Sequence, residues 1–260
     1  MLLLLQTATP PVAQSQRSDQ QAQPSIGPAS QILPPPSTYR FANGQTYVLS
    51  VEWHFFNAGI ARVKMEPAGA QQKVTAVADS MGTVNLLYGI HDRFESYFDP
   101  HSFCSQRILK HTEEGSRRRE TEVRYDYQRR KSVLTEKNLK TQESKRVENE
   151  VPACVTDVVT GFYYLATQEL VQGRSYTFPI NDGGKTTDVR ATVGEREQVK
   201  VPAGNFSAMK VEAEPIAGPL KGKGKVWVWF SDDANHTPVQ MRSKLGWGTL
   251  VFKLQRIEKQ

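Results

Sequence analysis

The chain has 260 residues, 38% of them hydrophobic, with a formal net charge of +6. That length holds one large all-β domain or two small ones, and its core needs no obligatory staple. No apolar run approaches the roughly 18 residues of a membrane-spanning helix, and a charge of this size suits solubility or weak attraction to an anionic surface rather than a dedicated polyanion binder.

The opening MLLLLQTATPPVAQSQ, residues 1–16, combines an apolar start with small residues at Ala13 and Ser15, placed like the −3 and −1 positions of a cleavage site. It lacks a basic n-region and its leucine run is short, so residues 1–15 are expected to be a signal peptide whose start lies upstream of Met1. The competing reading is a cytoplasmic tail with a chance leucine cluster. Residues 16–37 are rich in Gln, Ser and Pro, carry Pro34-Pro35-Pro36 and show no periodicity, which predicts a disordered linker ahead of one β-rich domain over 38–260.

From Tyr39 the pattern alternates. GQTYVLSVEWHFFNAGIARVKMEP predicts two strands reversing at Asn57-Ala58-Gly59, and QKVTAVADS a third. A short helical turn is expected at Val84–Tyr88, then a strand over Arg93–Phe98. Turn signals at Glu114-Gly115-Ser116 and at Gln128–Lys131 bound a strand with Val123, Tyr125 and Tyr127 on one face and Glu122, Arg124 and Asp126 on the other. TDVVTGFYYLATQELVQG predicts an amphipathic helix capped by Asp157 and stopped by Gly173. Val158, Phe162, Leu165, Ala166 and Leu170 share its apolar face, opposite Thr160, Thr167 and Gln168. Such a lone helix buries its stripe across a concave sheet face or over a barrel mouth. Strands then follow in SYTFPIND, TTDVRATV, REQVKVP, SAMKVEAEP, VWVWF, VQMRSKL and GTLVFKL, with a Gly183-Gly184 turn after the first. The fold expected is mainly β: an antiparallel meander curled into an open or closed barrel, with one helix packed against it.

Candidate chemistry is sparse. In KVWVWFSDDANHTPVQM, Lys225–Met241, two aspartates, an asparagine and a histidine crowd between apolar runs, but they are what a tight reversal needs, and a calcium loop would add spaced ligands and a closing Glu. His54, His91, His101, His111 and His236 show no metal-ligand spacing. No nucleophile elbow or phosphate loop is present, and LKGKGKVW precedes a strand rather than a helix. No catalytic residue, metal or cofactor is therefore assigned. Arg117-Arg118-Arg119 and Arg129-Arg130-Lys131 flank Tyr125 and Tyr127, but interleaved acids disfavour nucleic acid. Cys104 and Cys154 belong to no CxxC; paired, they would close a long loop worth about 3–4 kcal/mol, and in the cytoplasm they would be buried thiols. Trp53, Phe55, Trp227, Trp229 and Trp247, with the helix residue Phe162, are the candidate lining of a concave groove for a lipid or glycan.

QVKVPAGNFSAMKVEAEP, residues 198–215, with GKVWVWFSDDANHTPVQMRSKLGWGTLVFKL, YVLSVEWHFFNAGIARV and CVTDVVTGFYYLATQELVQGRSYTFPINDGGK, resembles the bacterial family of domain of unknown function 3108. The resemblance implies a β-rich, commonly exported protein of the periplasm or cell envelope, with no catalytic residues to carry over. The function expected is non-enzymatic binding of an apolar or amphipathic ligand, or of an envelope protein, in a concave sheet face. The alternatives are a structural or interaction protein with a filled barrel and, third, a hydrolase.

Overall fold

The structure is a computed structural model, which describes residues 30–53, 56–219, 221–222, 224–245 and 248–259. Eight strands come first: β1 (Gln45–Trp53), β2 (Phe56–Ala68), β3 (Gln71–Ser80), β4 (Ile90–Phe98), β5 (Ser105–Glu114), β6 (Arg117–Asp126), β7 (Lys131–Asn138) and β8 (Ser144–Glu150), with the short helix α1 (Gly82–Leu87) between β3 and β4. Helix α2 (Val158–Ala166) precedes β9 (Ser175–Ile180), β10 (Thr187–Val201), β11 (Gly204–Pro215), β12 (Lys225–Ser231), β13 (Pro238–Leu245) and β14 (Gly248–Lys259). All belong to one antiparallel sheet, ordered β8-β7-β6-β5-β4-β3-β2-β1-β14-β13-β12-β11-β10-β9.

Two meanders are thus sewn together where the first strand meets the last, β1 along β14. The sheet curls but does not close: β8 and β9 are its margins, and the chain passes between them through α2. Helix α2 bridges the halves through aromatic contacts. Tyr164 meets Phe178 of β9 at 5.0 Å between ring centroids and Phe103 of the β4–β5 connection at 5.9 Å, and Phe162 meets Phe230 of β12 at 5.5 Å. Phe41 adds a wedge from the N-terminal side, 5.9 Å from Phe103. These rings join Met65, Val74, Val211 and Leu254 in the main core. A second, smaller core of Ile108, Val123, Tyr125, Val151 and Val155 lies under the β9–β10 turn. There Tyr125 donates to the Asn181 carbonyl at 2.6 Å, and Gly183, at φ +98°, sits where a Cβ would stand 2.7 Å from Val123 and 2.6 Å from Leu134.

Several expectations shift. The first reversal falls between Trp53 and Phe56, which pair, so Asn57, Ala58 and Gly59 lie within β2. Gly59 is needed instead by the neighbouring strand: a Cβ there would sit 2.1 Å from the Asp79 carbonyl oxygen. The segments TTDVRATV and REQVKVP form one strand, β10, whose register slips between Val193 and Arg196; a bulge takes up the break. The helix begins at Asp157 as expected but ends at Ala166, before Leu170 and Gly173. Its faces also differ: Thr160, Thr167 and Gln168 are buried while Val158 is exposed, because each buried polar group finds a local partner. Residues 30–33 of the expected linker lie on the fold, where Gln31 N–H donates to the Thr177 carbonyl at 3.0 Å and Leu33 N–H to the Tyr164 hydroxyl at 3.2 Å. Residues 1–29 lie outside the described residues.

Cys104 and Cys154 form a disulfide across 50 positions of sequence, joining the start of β5 to the run into α2. The loop-entropy relation puts its worth at about 3–4 kcal/mol. The double variant Cys104→Ser/Cys154→Ser is expected to unfold at lower urea by that amount, read from paired equilibrium melts; an unchanged midpoint would show that the bridge does not restrain the unfolded chain.

Candidate functional site

The residues expected to line one aromatic groove separate in space. Phe162, on α2, is half-buried and packs against Phe230 of β12. Trp227 and Trp229 face the other way: cross-strand register sets them beside Glu212, Lys210, Arg242 and Gln240, while their neighbours Val228 and Phe230 face the core with Met209 and Val211. Both indoles are held by charged groups. Trp227 Nε1 donates to Glu212 and Trp229 Nε1 to Glu197, each at 2.7 Å, with Lys225 over the first ring and Lys210 and Arg242 over the second. This ladder leaves Trp229 4% exposed although it faces away from α2. Trp53 is half-buried at the far end of β1, opposite Phe56 and Leu250. Phe55 and Trp247 lie outside the described residues.

Concavities elsewhere among the described residues are of two kinds. An open groove of about 500 Å³ crosses β4–β8 and is lined by Arg93, Glu95, His111, Glu120, Glu122 and Lys137 among others. Most of its charged side chains are ion-paired: Arg93 meets Glu95 at 2.5 Å, Arg107 meets Glu122 at 2.6 Å, and His111 lies 3.1 Å from Glu113. A cavity of about 80 Å³ beside α2 is lined by Tyr39, Tyr47, Phe162, Tyr163, His236 and Pro238 with their neighbours. Its phenols are held protonated by burial. Burial raises Tyr39 and Tyr163, and pushes Tyr47 up to about 12 against the opposing hydrogen bond from Thr237. The Tyr163 hydroxyl is buried with no hydrogen-bond partner among the described residues.

The SDDANHTP stretch forms the β12–β13 turn. Asp233 accepts from the Asn235 N–H at 2.8 Å and the Ser231 hydroxyl at 3.1 Å, and Asp232 pairs with Arg196 at 2.8 Å. His236, at φ +44°, donates through Nδ1 to the Ala166 carbonyl at 2.8 Å, so the turn holds the C-terminal end of α2. Among the described residues, no three His, Cys, Asp or Glu side chains converge as metal ligands.

A dense polar cluster surrounds the expected helix cap Asp157, with partners that the sequence did not single out. Asp157, 1% exposed, caps α2 by accepting from the Val159 and Thr160 amides at 2.8 and 2.9 Å. Its other oxygen accepts from the hydroxyls of Ser96, Ser105 (2.7 Å) and Thr160 (2.9 Å). Nothing in a β-strand pattern marks Ser96 and Ser105 as partners of a helix cap sixty and fifty residues away; their burial on the inner face was the only available signal. The hydroxyls bond the carboxylate and one another, which ties β4, β5 and the first turn of α2 together. Asp92 is a second buried carboxylate. Burial pushes it up to about 6, against the Glu113 N–H that it accepts at 3.0 Å.

With this geometry in hand, the sequence pattern described as "protein of unknown function (DUF3108)" matches residues 46–255. The chain belongs to this family. No curated protein matches it. Among solved structures, it is similar to a β-barrel-like protein of domain of unknown function DUF1849 from Brucella abortus, at 10% identity over 83% of this chain and 97% of that one, with a TM-score of 0.58. Looser overlaps are with a "putative lipoprotein" from Parabacteroides distasonis and a "putative exported protein with YmcC-like fold" from Bacteroides fragilis. Both are 10% identical over 89% of this chain and 100% of theirs, with TM-scores of 0.34 and 0.32. At such identity the first likeness is one of fold alone.

Two measurements test the DUF3108 chain's buried carboxylates. Asp157→Ala removes a cap worth about 1 kcal/mol and orphans three buried hydroxyls at about 1 kcal/mol each, so a loss of about 4 kcal/mol is expected in urea melts. Asp157→Asn, which keeps an acceptor for the amides, is expected to lose less; equal losses would argue that the amide bonds of the cap contribute nothing. Asp92 has a folded pKa above its unfolded one, so its favourable contribution is full below about pH 4 and is lost as pH rises through about 6. Asp92→Asn should therefore be more stable than the parent at pH 7.5, by on the order of 2 kcal/mol, and no more stable at pH 4. A gain that is the same at both pH values would rule out titration of Asp92 as its source.

Proposed function

We propose that this protein is a non-enzymatic interaction protein of the bacterial cell envelope, with its barrel filled by its own side chains and its partner docked on an exposed apolar corner. The observation that carries the reading is that corner. Leu86 and Leu87 of α1 are 86% and 82% exposed and Phe56 of β2 is 69% exposed, with Met81 and Tyr88 also outward. No residue of α1 is buried, so the helix contributes nothing to the core and displays its leucines to water. Exposed apolar clusters of this kind mark surfaces that are covered in use. The partner suited to it is an envelope protein with a complementary apolar site. The disulfide favours an oxidising compartment.

The other reading, an apolar or amphipathic ligand such as a lipid or glycan held in the concavity, requires more space. A drug-sized ligand occupies a pocket of roughly 300 Å³ or more, while the cavity beside α2 offers about 80 Å³. The 500 Å³ groove is wide open to solvent and crossed by ion pairs, so it does not enclose a ligand.

A photo-crosslinking amino acid at position 86, introduced into the protein in its own cell envelope, is expected to give one discrete adduct. The same probe at position 158, exposed but away from the corner, should give none. Absence of an adduct at positions 86 and 87 alike would overturn the docking role, and a lipid or glycan released from the purified chain on denaturation would restore the interior-ligand reading.

A further inference from the structure

The two margins of the sheet are treated differently. β9 is covered by the chain itself: Gln31 N–H donates to the Thr177 carbonyl and Thr156 N–H to the Pro179 carbonyl, both at 3.0 Å, and Asn181 N–H donates to the Thr156 carbonyl at 2.8 Å. Pro179 also deprives that margin of a donor. β8 has no such cover among the described residues; β7 is its one paired neighbour. Val151 N–H donates to Arg130, and Glu143 C=O accepts from Asn138, so the odd-numbered residues turn their backbone groups toward β7. By alternation, Ser144, Arg146, Glu148 and Glu150 present theirs outward.

We propose that β8 is the interface of a two-fold homodimer, pairing antiparallel with β8 of a second copy about Val147. In that register Arg146 stands opposite Glu148 of the second copy, Ser144 opposite Glu150, Lys145 opposite Asn149, and Val147 opposite itself. Every outward backbone group meets an outward group, which gives roughly eight main-chain hydrogen bonds, and no like charges face each other. Sliding by one residue about either neighbouring centre breaks this match: centring on Arg146 sets Arg against Arg, and centring on Glu148 sets Glu against Glu. Registers between these leave outward groups facing side chains instead of partners.

Charged residues on an edge strand ordinarily repel a second strand. In SKRVENE they do so in the neighbouring registers and attract in one, with the strand's only apolar residue, Val147, at its centre and 40% exposed. Because β9 is already covered, pairing stops at two copies and closes by symmetry rather than growing into a fibre. Two seven-residue strands bury less than the roughly 1,200 Å² of a stable interface, so the dimer is weak and concentration-dependent.

The test uses the full chain with its native disulfide intact. In this register residue 147 and its copy occupy a non-hydrogen-bonded pair with Cα atoms about 4.5 Å apart, within disulfide reach. Val147→Cys under mild oxidation is expected to give a covalent dimer joined at residue 147 by peptide mapping, at least tenfold faster than Val158→Cys, which is exposed but off the edge. Adding Arg146→Glu should cut that rate at least tenfold, and adding Glu148→Arg to it should restore the rate, since the swapped pair is again complementary. Crosslinking of Val147→Cys no faster than of Val158→Cys overturns the proposal, as does a rate indifferent to Arg146→Glu.

Discussion

The architecture depends on one buried carboxylate. Among the described residues no cation pairs with Asp157; hydroxyls and amides from two strands and the helix's own first turn satisfy it instead. A buried carboxyl group is tolerated in such a place only when its oxygens find partners. That requirement fixes α2 in rotation and in depth: the cap can close only where Ser96 of β4 and Ser105 of β5 present their hydroxyls together. The disulfide between Cys104 and Cys154 holds the same two stretches of chain from the other side, one residue before Ser105 and three before Asp157. At the opposite end His236 takes the Ala166 carbonyl. A nine-residue helix, too short to be stable alone, is thereby pinned at both ends across the open side of a curled sheet.

How much of this was legible follows from what periodicity measures. Alternation reports which residues share a face when one face is wet, and it placed most strands and the β5–β6, β6–β7 and β12–β13 turns correctly. It failed on α2 because that helix is enclosed on several sides: the sheet, the β4–β5 connection and the Phe41 wedge leave Thr160, Thr167 and Gln168 no solvent to face. Their polarity is absorbed by bonds within the helix, Thr167 Oγ1 to the Tyr164 carbonyl at 2.8 Å among them. The Trp227–Trp229 pair shows the complementary failure. Two indoles on alternate positions look like core, yet long Lys, Arg and Glu side chains bury them from the outer side, and only the cross-strand neighbours reveal which face that is.

The Gly59 region shows a third limit. Asn-Ala-Gly is turn chemistry, but a glycine serves equally where two backbones approach, and sequence does not distinguish a missing Cβ needed for positive φ from one needed for room. The reversal moved two residues upstream, and the residues freed from it extended β2 to thirteen.

A curled sheet that stops short of closure has two problems, an open interior and two raw edges. This chain fills the interior with α2 and the aromatic wedge, and covers one edge with residues 31 and 156. What remains on the outside is the apolar corner at α1 and the charged edge of β8, at opposite extremes of chemistry. Neither adds to the core, and the leucines of α1 gain nothing from folding. Side chains that cost solubility without improving packing are where the proposed contacts beyond the chain would be made. The physical case for function therefore lies at the surface, and the interior is what holds that surface in shape.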